Sequence, residues 1–434
     1  MKNLIITIVA LLSAAFAVKA ENYPYRDDML WVTVPDHADW IYGRNENPAV
    51  EISLYRYGVP VGGGRVDYEI GDDHRDGFQT GSITLDSLGR GCVIMPAPGR
   101  PGFRDLRLKA DVDGQTTSHH IKLGFDPDSI KPYVEMPGDF DEFWLANLVE
   151  LKKLPLRYTI SDVPEYSTDK VRAYLVKLET GRRGRSMYGY LYVPRDAEPG
   201  SCPIVMSPPG AGVKPIRNPL AHRFYAENGC IRFDMEIHGL NPTMDEKLFN
   251  EVSAAFGQYL RFGLENRDNY YMKGVYLGLI RAIDFLTTVP EWDGRNVITQ
   301  GGSQGGALAI VAAALDERVT ACVANHPALS DMCGYAAGGT GGYPHFFSRG
   351  EPVDERVLET LKYYDVVNFA RRLKVPVYMT WGFNDNTCTP TTSYAVYNSI
   401  TAPREALITP VNEHWTSDRT ERGHLEWIKK HLLP

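Results

Sequence analysis

Apolar residues recur along the chain with two different periods, and the change of period divides it. Between residues 21 and 127 the period is two. Leu30, Val32 and Val34 alternate with polar or aromatic neighbours, as do Val50, Ile52 and Leu54, and then Val66, Tyr68 and Ile70. Ile83 with Leu85, Leu106 to Val112, and Ile121, Leu123 and Phe125 continue the series. Turn residues separate them at Gly62-Gly63-Gly64, Gly71-Asp72-Asp73, Ser87-Leu88-Gly89 and Asp113-Gly114. Strands with one apolar face pack well as two sheets face to face, and roughly seven short ones in ~105 residues match an immunoglobulin-like β-sandwich. Gly62-Gly63-Gly64 precedes a strand, so it reads as a hairpin turn and not as a phosphate cradle.

A Pro-punctuated linker, Asp126-Pro127 to Lys131-Pro132, ends this region. From 131 to 434 short apolar runs alternate with segments of helical period. Asp139-Phe140-Asp141-Glu142 opens a helix, its acids suiting the helix dipole, which runs to about Lys153 and stops at Pro155. Strands are expected at 171–178, 187–193, 204–206, 231–237, 297–299, 319–324, 377–381 and 406–409. Helices are expected at 219–228, 270–287, 305–315, 354–361 and 390–398. That order predicts a doubly wound α/β unit, a mostly parallel sheet with helices on both faces.

Residues 1–20 read as a cleavable leader. Lys2 is the positive start, 4–12 the apolar stretch, and Ala17-Val18-Lys19-Ala20 a small-residue cleavage site. The apolar stretch is too short to cross a bilayer and no cysteine near the cut could carry a lipid, so a secreted or periplasmic protein without a membrane anchor is expected. Losing Lys2 and Lys19 takes the formal charge from -8 to -10. With no basic block, this argues against a nucleic-acid partner. The six cysteines are scattered without a C-x-x-C pair and read as small buried hydrophobes, although export permits a disulfide.

The candidate chemistry centres on residues 296–315. Val297-Ile298-Thr299 has the pattern of a buried strand and 307–315 that of a buried helix, with Gly301-Gly302-Ser303-Gln304-Gly305 between them. G-x-S-x-G on a strand-to-helix turn exposes a serine at the carboxyl edge of a sheet. Serine needs a base to take its proton, and the base needs a carboxylate to hold it. The chain order Ser, acid, His puts the acid after strand 377–381, at Asp385, in preference to Asp331 or Asp365. The base after the last strand is His414; His424 falls in a terminal helix, and His326 and His345 precede the acid. Glu413 is a neighbour of the base, not its partner. Oxyanion donors are expected at the backbone N–H of Gln304 and, from the loop 206–212, of Ala211, since Pro208 and Pro209 have none. No phosphate-loop or metal-ligand spacing occurs, so neither metal nor cofactor is expected. Trp31 and Trp40 could serve a sugar-binding module; filling the sandwich's own core is the simpler role.

With these residues in place, 131–434 resembles the acetyl xylan esterase and cephalosporin-C deacetylase family, carbohydrate esterase family 7, of the α/β-hydrolases. The likeness rests on Phe140-Asp141-Glu142-Phe143-Trp144, the G-G-S-Q-G-G run, Asp385-Asn386-Thr387-Cys388-Thr389-Pro390 and Ala395-Val396-Tyr397-Asn398. It implies a triad of Ser303, Asp385 and His414, oxyanion donors at Ala211 and Gln304, no cofactor, and deacetylation of xylo-oligosaccharides and small esters. A homo-oligomer is compatible with it. His238-Gly239-Leu240 stands where the family has Arg-Gly-Gln, and Trp415 follows His414 where the family has Glu. Two rival readings remain: a serine peptidase like the prolyl oligopeptidases, disfavoured because there is no propeller, and a catalytically silent sugar binder, disfavoured by the complete Ser, Asp and His set.

Overall fold

The computed structural model describes residues 28–433, apart from 182–184, 217–219, 222 and 348–351. The leader at 1–20 lies outside the described residues. The first region contains β1 (Met29–Pro35), β2 (Ile41–Tyr42), β3 (Ala49–Arg56), β4 (Val59–Pro60), β5 (Arg65–Asp72), β6 (Gly77–Thr84), β7 (Arg90–Ile94), β8 (Gly102–Val112) and β9 (Gln115–Phe125). Strands β1, β3, β4 and β7 form one sheet, and β2-β9-β8-β5-β6 the other. The alternating residues Val50, Ile52, Leu54, Val66, Ile70 and Leu106 are fully buried between them. The alternation did not reveal β2, β4 or β7, because the first two have only two residues each and β7 buries Val93 alone. Gly62-Gly63-Gly64 is not a hairpin turn: it carries the chain from β4 in one sheet to β5 in the other. Trp40 is buried, and Trp31 donates its indole N–H to Thr117 at 2.9 Å while stacking on His119, so both serve the sandwich itself.

The second region opens with α1 (Phe140–Lys152), followed by β10 (Tyr158–Asp162), β11 (Val171–Glu179), β12 (Ser186–Pro194), β13 (Cys202–Ser207), α2 (Phe224–Glu227), β14 (Ile231–Glu236), α3 (Glu246–Ala254) and α4 (Tyr271–Leu286). Then come β15 (Trp292–Gly302), α5 (Gln304–Leu315), β16 (Val319–Asn325), α6 (Glu355–Lys362), α7 (Val366–Ala370), β17 (Val377–Trp381), α8 (Pro390–Ser399), β18 (Arg404–Ile408) and α9 (Asp418–Lys430). The sheet order is β10-β11-β12-β14-β13-β15-β16-β17-β18. Pairing is antiparallel from β10 to β14 and parallel from there to β18. The parallel strands carry Ile204 to Met206, Val297 to Thr299 and Cys322 to Ala324, all buried, as strands covered on both faces require.

Three departures from the sequence reading have local causes. Of the helix expected at 219–228, two residues of which (219 and 222) lie outside the described ones, the described part forms only the single turn α2, in which just Tyr225 and Ala226 are buried. Strand β10 is exposed at all five residues, and Tyr158 and Ile160 alone are too short an alternation to mark it. Helices α3 and α7 were not foreseen; α7 is only five residues long, below the length at which a helical period shows. The two regions share one apolar core. Phe103 of β8 meets Phe383 edge-on at 4.9 Å between ring centroids and Tyr394 at 5.7 Å, joining the sandwich to the loop after β17 and to α8.

Candidate active site

Strand β15 ends at Gly302 and α5 begins at Gln304, so Ser303 alone makes the corner. Its φ of 58° and ψ of -126° lie in a region that side-chain-bearing residues rarely adopt. The flanking glycines make the corner possible. A Cβ on Gly301 would lie 2.5 Å from the carbonyl of Gly305, and one on Gly305 would lie 2.4 Å from the carbonyl oxygen of Pro208. The Ser303 N–H donates to the Asn325 carbonyl at 3.0 Å, tying the turn to the end of β16.

His414, on the loop after β18, bridges the two other groups. Its Nε2 is 3.1 Å from Ser303 Oγ and its Nδ1 is 2.8 Å from Asp385 Oδ2. Asp385, on the loop after β17, is fully buried, and its Oδ1 accepts the N–H groups of Thr387 at 2.7 Å and Cys388 at 2.9 Å. With Nδ1–H donating to the carboxylate, Nε2 is left as the acceptor for the serine hydroxyl. A hydroxyl, an imidazole and a carboxylate in that series form a proton relay.

The remaining sequence candidates stand outside this series, although His326 and His345 border it. Asp331 accepts the N–H groups of Tyr133 and Val134, and Asp365 those of Asp331 and Met332. Burial raises both carboxyls above the usual range, and for Asp365 the neighbouring Asp331 adds to it. They knit the linker to the loop after β16. His326 is buried with its ring centroid 4.3 Å from that of His414, and burial holds it down at about 4, hence neutral. His345 stacks on His74 at 4.3 Å and donates to the Thr387 carbonyl at 3.2 Å. His424 is buried on α9 beside the Thr380 hydroxyl, at 3.1 Å. Glu413 is exposed, 3.7 Å from His120.

Gln304 is the first residue of α5, where the helix dipole favours developing negative charge. Ala211 lies in the loop after β13, whose Pro208 presses on Gly305 as described. Tyr259, which no sequence pattern singles out, ties the two donor segments together. Its hydroxyl donates to Gln304 Oε1 at 2.6 Å and accepts the Gly212 N–H at 3.3 Å. His238 packs on the Tyr259 ring at 4.7 Å, 2.9 Å from the Tyr271 hydroxyl. Glu236 fixes the turn there by accepting the N–H groups of His238, Gly239 and Leu240, and burial pushes its carboxyl up to about 7.

The β-sandwich also reaches the site. The Lys122 ammonium pairs with Asp73 at 2.8 Å and donates to the backbone carbonyl of Asp385 at 2.7 Å. Between the loop after β5 and residues 335–347 lies a cleft of about 940 Å³, walled by Arg75, exposed Phe78, Tyr335, Phe347 and, from the loop of Asp385, Asn386. Among the described residues, the one compact group of potential metal ligands is His326, Asp385 and His414, within 4.8 Å of one another; two of these are already spent on the relay. All six cysteines are free, and Cys388 Sγ lies 4.0 Å from Ser303 Oγ.

Comparison with known proteins bears on the family and the fold. The family model described as acetyl xylan esterase (AXE1) matches residues 126–431. The acetyl esterase Axe7A of Xylanibacter ruminicola is 52% identical over 435 residues, spanning 100% of this chain and 97% of its own length. An acetyl xylan esterase structure from Paenibacillus sp. superposes with a TM-score of 0.61 at 27% identity, covering 70% of this chain and 98% of that one. Acetyl xylan esterase 1 from Thermoanaerobacterium sp., at 21% identity with a TM-score of 0.58 over 71% of this chain and 98% of that one, shares the fold.

Proposed function

The chain belongs to the acetyl xylan esterase family of α/β-hydrolases, and on that premise we propose that it removes acetyl groups from plant-derived oligosaccharides through an acyl-enzyme on Ser303. The observation that carries the reading is the unbroken series of 3.1 Å and 2.8 Å contacts from Ser303 through His414 to Asp385. His414 Nε2 takes the hydroxyl proton while Ser303 Oγ bonds to the acetyl carbonyl carbon. The carbonyl oxygen gains negative charge and accepts hydrogen bonds from the backbone N–H groups of Gln304 and Ala211. Asp385 steadies the imidazolium, which passes its proton to the departing sugar oxygen as the ester C–O bond breaks. Water, deprotonated by the same histidine, then attacks the acetyl-enzyme, releasing acetate and restoring the serine.

The sugar would extend into the cleft beside Asn386, where an exposed aromatic ring among polar groups suits a polyol face. The leader at 1–20 supports export, so the reaction would run in the periplasm or outside the cell. The test is acetate release from acetylated xylo-oligosaccharides and p-nitrophenyl acetate by the protein and by Ser303→Ala. The variant is expected to lose at least about 10³-fold in kcat. Turnover surviving in Ser303→Ala would overturn the serine route, and hydrolysis of dipeptide amides in preference to acetate esters would favour a peptidase.

A further inference from the structure

We propose that the β-sandwich is a working part of the hydrolase, with Lys122 and Asp73 as positioning residues that hold the catalytic-acid loop in register. The inference rests on the role given above to Asp385. The family model matches residues 126–431 and so assigns no task to these two residues.

The grip has four points, all joining residues far apart along the chain. The Lys122 backbone N–H donates to Asn384 Oδ1 at 2.9 Å, and its ammonium donates to the Asp385 carbonyl at 2.7 Å. Asp73 Oδ2 accepts both the N–H of Thr391, at 3.1 Å, and its hydroxyl, at 2.7 Å. Thr391 is in the first turn of α8, so a carboxylate from the sandwich caps the helix that follows the acid loop. Lys122 and Asp73 are 0% and 1% exposed and pair at 2.8 Å. Asn384 passes the restraint on: its own N–H donates to the Asn412 carbonyl at 3.1 Å, two residues before His414. Acid loop and base loop are therefore indexed to one buried ion pair.

Burying a lysine and an aspartate gains little net stability, because desolvation offsets most of their attraction. What such a pair supplies is geometry. A carbonyl at position 385 pinned by an ammonium fixes the backbone from which the Asp385 carboxylate reaches His414, and a shift of about 1 Å in such a group costs on the order of 100-fold in rate.

The test uses the full chain with Asp73→Asn and Lys122→Met combined, which leaves no unpaired buried charge and keeps an acceptor for Thr391. Active sites are counted by titration with a fluorophosphonate, and p-nitrophenyl acetate kinetics are expressed per titrated site. A part that merely helped the protein fold would lower the number of sites and leave kcat per site intact. The proposal expects kcat per site to fall by about tenfold or more with KM within about twofold, and Lys122→Arg, which keeps the donors, to retain most of kcat. Wild-type kcat per site in the folded double variant overturns it. Should that variant not fold, Thr391→Val removes one of the four contacts without a charge change: a fall of about threefold in kcat is expected, and an unchanged kcat overturns the proposal. A Ser303→Ala enzyme that still turned over would instead refute the proposed function.

Discussion

Replacing Gly305 by alanine isolates what the tight turn contributes to the chemistry. The added Cβ would lie 2.4 Å from the carbonyl oxygen of Pro208, while ordinary contact begins at 3.4 Å, so something must move by about 1.0 Å. Neither side has a flexible end to yield: Gly305 is in the first turn of α5, and the Pro208 carbonyl is backbone in the loop that carries Ala211. The separation between the two expected oxyanion donors must therefore change. A displacement of about 1 Å costs on the order of 100-fold in kcat, equivalent to ~2.7 kcal/mol of barrier, and the overpacking removes a further ~1–3 kcal/mol of stability. Gly302→Ala is the control, because its Cβ would meet Asn325 Nδ2 at 3.4 Å, His326 Nε2 at 3.7 Å and Asn325 Cβ at 3.8 Å, all ordinary contacts, and its Tm should match that of the unmodified protein. Kinetics with p-nitrophenyl acetate and thermal unfolding read both quantities. A Gly305→Ala enzyme with unchanged kcat and Tm would show that the Pro208 loop gives way freely, and the account of the turn would fail.

Tyr259→Phe removes the hydroxyl shared by Gln304 and Gly212, leaving the buried Gln304 amide and the half-buried Gly212 N–H short of a partner; kcat should fall about tenfold with the protein still folded, as circular dichroism and kinetics would show. Phe78→Ala should raise KM for acetylated xylotetraose severalfold, in the range of about 1 kcal/mol for a lost aromatic contact, without changing turnover of p-nitrophenyl acetate; equal effects on both substrates would place the sugar elsewhere. His424 is depressed by burial and by Arg232 from the usual 6.5 to about 4. The unfolded chain therefore binds the extra proton first, and the stability due to a neutral His424 is present above pH 6.5 and lost as the pH falls towards 4. His424→Gln should remove about 1–3 kcal/mol of the acid-induced loss between pH 7 and 5, measured as a smaller drop in Tm than the unmodified protein shows.

The residues that sequence alone picked out share a property: each is announced by its immediate neighbours. Ser303 stands between a β-branched run and an Ala-rich run, Asp385 and His414 each follow a strand, and in the structure His414 lies within hydrogen-bonding reach of both the others. Lys122 has no such local sign. Ile121, Leu123 and Phe125 mark the sandwich face of β9, and alternation assigns Lys122 to the outer one, where a lysine is unremarkable. That outer face is buried too, because a loop 263 positions away covers it. Tyr259 is likewise one tyrosine among 25, in a three-residue turn with no period of its own. Antiparallel pairing in the first part of the large sheet was equally hidden, since β10 shows solvent at every position.

The buried Lys122–Asp73 pair also bears on how such a gene can be rearranged. Appended carbohydrate modules are commonly traded between enzymes as cassettes, which works when the junction is wet and the partners are indifferent to each other. Here a foreign module grafted before residue 131 would leave the Asn384 side chain and the carbonyl of 385 without their donors. A chimaera with a foreign front half should therefore fold yet turn over slowly, because nothing in it would hold the acid loop where Lys122 and Asp73 hold it here.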